Sequence, residues 1–559
     1  MRTEELTAGW LAQGRVPGAG VCDVRREVAL PFLLADLCGA CGREGLFLRA
    51  WELSREVARP AEPPRSHAER VLLTLDGVLG AGELFIGGKA RGRLRPHMEV
   101  DLSEDLRGGP CRVALRFAPH LPRLYPGERG RELPVESKLL SARVRSVYRL
   151  RIEEVEVRGN LARVRLFAYG AGRVRLCLRL LAGEELLFSE NVEVPVQVGS
   201  QVVERPVDRK GHAFAVLRVR ADLAGEGCDE AEGFCGPEGE AHAFAHFFAR
   251  PDGAMLQAAR RAGFDAAALH VYPDEALRRA CAQAGLIAVP QRAAVRRCTL
   301  LRADDGGEGA HAGDCLCAPL LREGPREEFA QAEKLLRAAG AQRAAGAAVR
   351  VQALCRQSDA QDGLFSPAGA PRQALCALRG ALGGACIHVA GGRGPLLPGQ
   401  AFAAEILLLL QPGEEGAAVV RAGLFLLDGT PVAQRSFATG ASETVNRLGA
   451  LRAQLPWDCR GGLLLRAQAW RGGALIAQAH AYYPLRGEDG AAQPFPAARL
   501  RVDEAGGVRF VCNDGKTAAL GVTVRCGDRA VLRYGALLPL ERVEVAKQGP
   551  IVVQYGNPI

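Results

Sequence analysis

Residues 74–94 read TLDGVLGAGELFIGGKARGRL. A mostly apolar strand runs into Asp76-Gly77-Val78, and a second apolar stretch ends at Gly87-Gly88-Lys89. Glycine accepts positive φ and Asp can cap its own turn, so both dipeptides mark tight corners between strands. Just upstream, RVLLTLDG alternates Val71, Leu73 and Leu75 toward one side. Downstream, RVALRFAP does the same with Val113, Leu115 and Phe117. Period-two alternation predicts half-buried antiparallel strands. We therefore expect a β domain over residues 1–125, with 121–138 as a connector.

At 559 residues the chain exceeds one hydrophobic core and predicts four or five domains. Its 48% hydrophobic and 24% charged residues are those of an ordinary globular protein. The net charge is +9, but the arginines are scattered through strand-like segments. Nucleic acid binding calls for a clustered basic stripe, so none is expected. The longest greasy stretch, EILLLL near Leu407, is far short of the ~20 residues of a membrane span. The 17 cysteines sit mostly alone in apolar segments, as at Cys177, Cys281 and Cys376, and MRTEE leads into no apolar signal core. Reduced thiols and a cytoplasmic location are the expectation.

Residues 139–223 continue the β theme. RVRLCLRLL sets Val174, Leu176, Leu178 and Leu180 against Arg173, Arg175, Cys177 and Arg179, and turn-spaced strands of this kind predict a β-sandwich. From 234 to 385 the grammar changes. A helix is entered by Pro251-Asp252 and stopped by Gly263. A short strand FDAAALHVYP follows, then a helix capped by Asp274 and closed by Gly285, then LIAVP. Helix alternating with strand is the pattern of a parallel α/β unit. Strands return over 386–486, and a small β domain is expected over 498–559.

The opening stretch, in this order of domains, resembles glycoside hydrolase family 2, above all its β-mannosidase and β-galactosidase branches. Their galactose-binding-like jelly roll carries a strand, then DGV, a small residue and a VNG hairpin. Here these are Asp76-Gly77-Val78, Ala81 and Leu84-Phe85-Ile86-Gly87-Gly88, followed by Gly92. Val16-Pro17-Gly18, Trp51-Glu52-Leu53 and VDLSEDLRGGPCRVALRF at 100–117 also resemble family segments. AGFDAAALHVYPDEALRRACAQAGLIAVPQ, 262–291, looks like the start of the family's (β/α)₈ barrel, matching at His270, Tyr272, Pro273, Cys281, Gly285, Leu286 and Val289. Pro371-Arg372 resembles the segment leaving it. The resemblance implies a mainly β, multidomain fold: a jelly roll, immunoglobulin-like β-sandwiches and a truncated barrel over 234–385. It also implies a β-linked glycoside as ligand, with His270 and Tyr272 as sugar contacts; the alternative for His270 is a strand end whose imidazole hydrogen-bonds the fold.

It further implies two catalytic Glu residues at barrel strand ends, the acid/base directly after an Asn. Retention needs such carboxyls ~5–5.5 Å apart. The sequence has no Asn-Glu pair, and 234–385 has no Asn at all. That span is short of the ~250 residues of a closed eight-fold barrel. The family's Arg, Asp and acidic strand end are Ala267, Ala282 and Gln291. No catalytic residue is therefore assigned. Asp304, Asp305, Glu308 and Asp314 read as a solvated Gly-rich loop, and Glu327 and Glu328 as a helix start. Cys38 with Cys41, His242 with His246, and Cys315 and Cys317 near His311 and Asp314 have fragments of metal-ligand spacing, but no set is complete. Neither metal nor cofactor is expected. Trp10 and Trp457 lie beside turns and are candidate sugar-stacking residues; Trp51 and Trp470 read as core. Three readings stay open: a non-catalytic carbohydrate-binding homologue, which leads; a retaining β-glycosidase with relocated carboxylates; and a structural or interaction subunit. An oligomer or a partner glycosidase is a candidate association, and co-purification with an intact glycosidase would favour the third reading.

Overall fold

The computed structural model describes residues 2–16, 22–33, 51–60, 70–78, 80–118, 123–124, 132–133, 138–147, 150–223, 228–248, 250–269, 273–290, 298–300, 315–317, 325–354, 363–366, 371–391, 395–411, 414, 416–440, 443–487, 496–505, 508–526, 529–530, 535–545 and 551–557. The expected mainly β, multidomain architecture is present. The chain divides into two compact units: residues 1–239 with 272–285, and residues 240–271 with 286–559.

The first unit opens with a sandwich of two antiparallel sheets. One has the order Arg2–Glu5, Ser141–Val147, Arg70–Asp76, His97–Asp101. The other runs Cys22–Val28, Trp10–Val16, Trp51–Val57, Cys111–Phe117, Gly82–Ile86, Lys89–Arg93. Between them lie Trp10, Trp51, Leu53, Leu73, Leu75, Leu115 and Phe117, with Trp51 stacked on Phe117 at 4.2 Å. The Gly-Gly pair makes the expected hairpin. Gly87 and Gly88 have φ of 56° and 82°, and Ile86 pairs with Lys89 across them. Both residues at positive φ define a type I′ turn, whose twist suits the flanking strands. The Asp-Gly corner works differently. Arg70–Asp76 and Gly82–Ile86 belong to different sheets, so the corner carries the chain across the sandwich. Gly77 has φ +66°, and a Cβ there would lie 2.4 Å from Leu140.

A three-stranded sheet (Leu150–Arg158, Leu161–Ala168, Gly199–Pro206) and a four-stranded one (Glu185–Val196, Gly172–Ala182, Ala215–Asp222, Cys228–Cys235) form the second, immunoglobulin-like sandwich. Val174, Leu176, Leu178 and Leu180 are its fully buried row. Two boundaries read from sequence move. Ser141–Val147, expected to open this sandwich, pairs with Arg70–Asp76 and closes the first. Cys228–Cys235 pairs with Ala215–Asp222, which carries the second sandwich past 223 and 234. Glu99 of the first sandwich binds Arg145 at 2.9 Å and also Arg151 of the second, where buried Asp229 accepts from the Ile152 amide at 2.6 Å. Helix Glu275–Gln283, read from sequence as part of the α/β region, groups with this unit. Asp274 caps it by accepting from the Leu277 amide, Arg279 pairs with Glu232 at 3.1 Å, and Ala282 faces Gly236.

Among the described residues of the second unit, six strands form one parallel sheet: Ala243–Phe247, Ala266–Leu269, Ile287–Pro290, Cys298–Leu300, Cys315–Cys317 and Val349–Leu354 in chain order. Their order across the sheet is third, second, first, sixth, fifth, fourth. Helices Gly253–Arg261, Pro325–Ala344 and Gln373–Leu382 accompany it. A third sandwich follows, pairing Ala385–Gly391, Ala401–Leu410 and Val445–Gln454 in one sheet. The other holds Pro431–Thr439, Ala418–Leu426, Leu463–Arg471 and Ala474–Tyr483. The small last sandwich is tied by fully buried Asn557, which donates to the Pro496 and Ala518 carbonyls and accepts from the Leu520 amide. Among the described residues no helix is long and apolar enough to cross a membrane.

The two glycine corners give a paired prediction. Gly88→Ala meets open space and costs only the positive φ, about 1–2 kcal/mol. Gly77→Ala adds the clash with Leu140, a further ~1–3 kcal/mol. Chemical denaturation of the two variants will rank Gly77→Ala as clearly the less stable.

Candidate functional site

In parallel sheets, ligand sites form beyond the C-terminal ends of the strands. The strands here are short and almost wholly apolar: AFAHF, AAAL, IAVP, CTL, CLC and VRVQAL. None contains Asp or Glu. Ala266, Ala267 and Ala268 are completely buried, and Ala267 lies in register between Ala245 and Ala288. The position where the resemblance expects an Arg is thus an alanine row. The polar exception is the next row, where buried His246 stands between Ala268 and buried Gln352.

The described carboxylates of this region have structural partners. Asp252 caps helix Gly253–Arg261 by accepting from the Met255 amide at 2.7 Å. Asp265 accepts from the His242 amide at 3.2 Å and from Arg260 at 3.3 Å. Glu328 accepts from the Gln373 amide at 3.3 Å, and Glu327 sits in the first turn of its helix, where the dipole favours it. Glu333 is buried. It meets His480 at 3.3 Å and Arg337 at 3.8 Å, and Arg337 also donates to the Tyr482 carbonyl at 3.1 Å. This acid–imidazole pair had no local sequence signal, since 147 positions separate its members. A Glu among the buried Ala332, Leu335 and Ala339 of its helix was the one clue. With side-chain exposures of 8% and 3%, the pair fastens helix Pro325–Ala344 to strand Ala474–Tyr483 and is closed to a substrate. Burial raises the phenol pKa of both Tyr482 and Tyr483, the latter to about 12.

The sequence candidates divide. His270 and Tyr272 follow strand Ala266–Leu269 in the chain but lie outside the described residues. So do Cys38, Cys41, His311, Asp314, Asp304, Asp305 and Glu308. Trp10 is not a surface ring: it is fully buried, and its indole N–H donates to the Leu6 carbonyl at 2.7 Å. Its strand runs through the middle of the first sandwich, so the nearby turn does not expose it. Trp457 is 82% exposed. His242 and His246 are four apart on an extended segment, ~13 Å along the strand direction, too far to share a metal ion. Among the described residues, no group of three or more His, Cys, Asp and Glu could hold one.

Neither a protein-family model nor a curated protein matches the sequence. Solved structures do. The chain is similar to the β-D-mannosidase from Dictyoglomus thermophilum, with a TM-score of 0.69 and 10% identity over 100% of both chains. It is similar to the exo-chitosanase of Amycolatopsis orientalis at 0.55 and 10%, over 98% of this chain and 96% of that one. A β-glucuronidase from glycoside hydrolase family 2 matches at 0.50 and 10%, over 100% of this chain and 81% of that one. The chain has the multidomain fold of these glycosidases. At this identity the likeness is one of fold, and the glycosidase fold here has a central sheet whose strands hold no carboxylate.

One group behind that sheet titrates in a useful range. His388 packs against Gly340, where a Cβ would lie 2.3 Å from its Nδ1. Burial, reinforced by Arg337, lowers its pKa to about 4. Because the folded value lies below the unfolded 6.5, its contribution is complete above pH 6.5 and is lost as the pH falls toward 4. Between pH 7 and 4.5 the wild type should lose about 2–3 kcal/mol that His388→Gln does not lose. Urea titrations at the two pH values check this.

Proposed function

We propose that the chain is a non-catalytic, carbohydrate-binding homologue of the family 2 glycosidases, its parallel sheet a (β/α)₈ barrel shortened by two strands. The strand order carries this reading. A doubly wound sheet of six strands would run 3-2-1-4-5-6. Here the first strand pairs with both the second and the last, giving 3-2-1-6-5-4. Pairing of first with last is what closes a barrel, and the series is interrupted only between the third and fourth strands. Seven residues, 291–297, join those two, too few for the helical crossover that links parallel neighbours. On this reading two strands and their helices are missing at that point.

Absence of the Asn-Glu pair, of Asn throughout 234–385 and of any acidic residue on the six strands argues against hydrolysis. His270 and Tyr272, which follow the second strand in the chain, remain the proposed sugar contacts, with a β-linked glycoside as ligand class. The reduced, buried thiols of Cys111, Cys235, Cys386 and Cys459 support a reducing compartment such as the cytoplasm.

The purified protein should turn over aryl β-mannoside, β-galactoside and β-glucuronide no faster than buffer, and Glu327→Gln and Glu328→Gln should change nothing. It should still bind mannose or glucosamine by calorimetry, and His270→Ala should weaken that binding. Turnover abolished by Glu308→Gln, Glu327→Gln or Glu328→Gln would overturn the reading in favour of an active glycosidase with relocated carboxylates.

A further inference from the structure

We propose that Trp457 is a glycan-stacking platform on the third sandwich, a site distinct from the parallel sheet that takes the apolar face of one pyranose in a β-linked chain. The proposal rests on the carbohydrate-binding reading above and adds a second point of contact to it. Trp457 follows strand Val445–Gln454 and is 82% exposed. Its ring is nonetheless seated. A Cβ at Gly399 would lie 2.5 Å from Cε3 and 2.6 Å from both Cδ2 and Cζ3. Near-equal distances to three consecutive ring atoms put Gly399 over the face of the six-membered ring, because an approach from the edge would separate those distances widely. One indole face therefore lies on the Gly399 backbone and the other is open.

The mount is built from main-chain bonds. Gly399 adopts φ +75°, which with the missing Cβ leaves no alternative to glycine. Its N–H donates to the Pro456 carbonyl at 3.3 Å, and the Leu455 N–H donates to the Gln400 carbonyl at 3.0 Å. The Gln454 amide donates to the Gly399 carbonyl, and the Cys459 N–H donates to the Pro456 carbonyl at 3.4 Å to close the turn. An exposed ring fixed in this way loses little side-chain entropy on binding. Asp458 and Arg460, close to it in the sequence, and Gln400, next to Gly399, are exposed and supply groups for sugar hydroxyls.

Area selects the occupant. A stable protein contact buries ~800 Å² per partner. Among the described residues of this sandwich, the exposed large apolar side chains besides Trp457 are Leu397, on the same turn as Gly399, and Val419 on strand Ala418–Leu426. One indole face with one leucine offers roughly 200 Å². That is small for a protein interface and fits a single sugar ring, whose C–H face packs on a π surface.

The test is affinity electrophoresis of the full chain in gels containing soluble β-1,4-mannan or glycol chitosan. We expect wild type to be retarded by at least one polymer. Trp457→Ala should bind roughly tenfold more weakly, with an unchanged melting temperature and no glycan-induced shift of tryptophan fluorescence. Trp457→Phe should recover part of the retardation. Equal retardation of wild type and Trp457→Ala would overturn the platform while leaving carbohydrate binding intact. Lack of retardation alongside mannose or glucosamine binding by calorimetry would also sink the platform alone. Loss of both would sink the platform and the carbohydrate reading together. Self-association that Trp457→Ala abolishes in sedimentation would overturn the platform in favour of a protein contact.

Discussion

Seven residues have to join Ile287–Pro290 to Cys298–Leu300, and these two strands are opposite edges of the parallel sheet. The eight steps from Pro290 to Cys298 reach at most ~29 Å. In a flat sheet the edges are five strand spacings apart, ~24 Å, and the link must also run back ~10 Å along the strands so that the next strand starts parallel. Flat geometry would use nearly the whole reach of a straight chain. A curled sheet brings the edges toward each other and relaxes the requirement. At seven residues the link is shorter than the dozen or more of an ordinary crossover between parallel strands, which agrees with the proposed shortened barrel. Both edge strands are also very short, four and three residues, which limits the unpaired backbone they present.

The hydrophobic cores of the sandwiches are separate from the parallel sheet. Each sandwich closes its own core: Trp10, Trp51 and Phe117 in the first, the Val174–Leu180 row in the second, and Phe402, Leu408, Leu465 and Tyr483 in the third. The fourth has a smaller core around Val511, Val522 and Val524. Within the second unit the carboxylates near the sheet act as caps and clamps. Glu333 with His480 holds helix Pro325–Ala344 against strand Ala474–Tyr483, and Glu328, accepting from the Gln373 amide, links that helix to helix Gln373–Leu382. A carboxylate engaged in this way is desolvated or directed at an amide, and neither state suits attack on an anomeric carbon.

Features fixed by backbone geometry were the legible ones. Gly87-Gly88 read as a hairpin because few other pairs hold two positive φ angles in succession. Asp252, Asp274, Gly263 and Gly285 bounded their helices for the corresponding reason. Features set by long-range partners were not legible. The Asp76-Gly77 corner looks alike whether the chain returns beside itself or crosses to the facing sheet; the long-range strand pairings, Arg70–Asp76 with Ser141–Val147 among them, distinguish the two. Ser141–Val147 alternates as a strand of either sandwich would, and its register with Arg70–Asp76 is a tertiary choice. Trp10 followed the rule that a ring beside a turn is exposed, and failed because its ring packs into the core shared with Leu73, Leu75 and Val144 of the facing sheet. Of the candidate site, the lack of acidic residues could be read directly. The burial of His246 beside Gln352 could not, since adjacency of the first and last strands is invisible along the chain.

Fold and catalysis place different demands on a sequence, and what this chain shares with the β-D-mannosidase at 10% identity is the fold. A parallel strand needs only short apolar residues in alternation with its neighbours, and many sequences satisfy that, the alanine row 266–268 among them. Retaining hydrolysis needs two oxygen pairs held within about 0.5 Å of one geometry, and few substitutions preserve it. Sugar recognition by stacking lies between these extremes. It asks for a flat ring with one face fixed and the other free, which a single turn on a self-sufficient sandwich can supply. Trp457 over Gly399 meets that demand without help from the parallel sheet. On the proposed reading, a chain without the catalytic pair would keep an affinity for glycans, and a sandwich with a core of its own is an economical place to keep it.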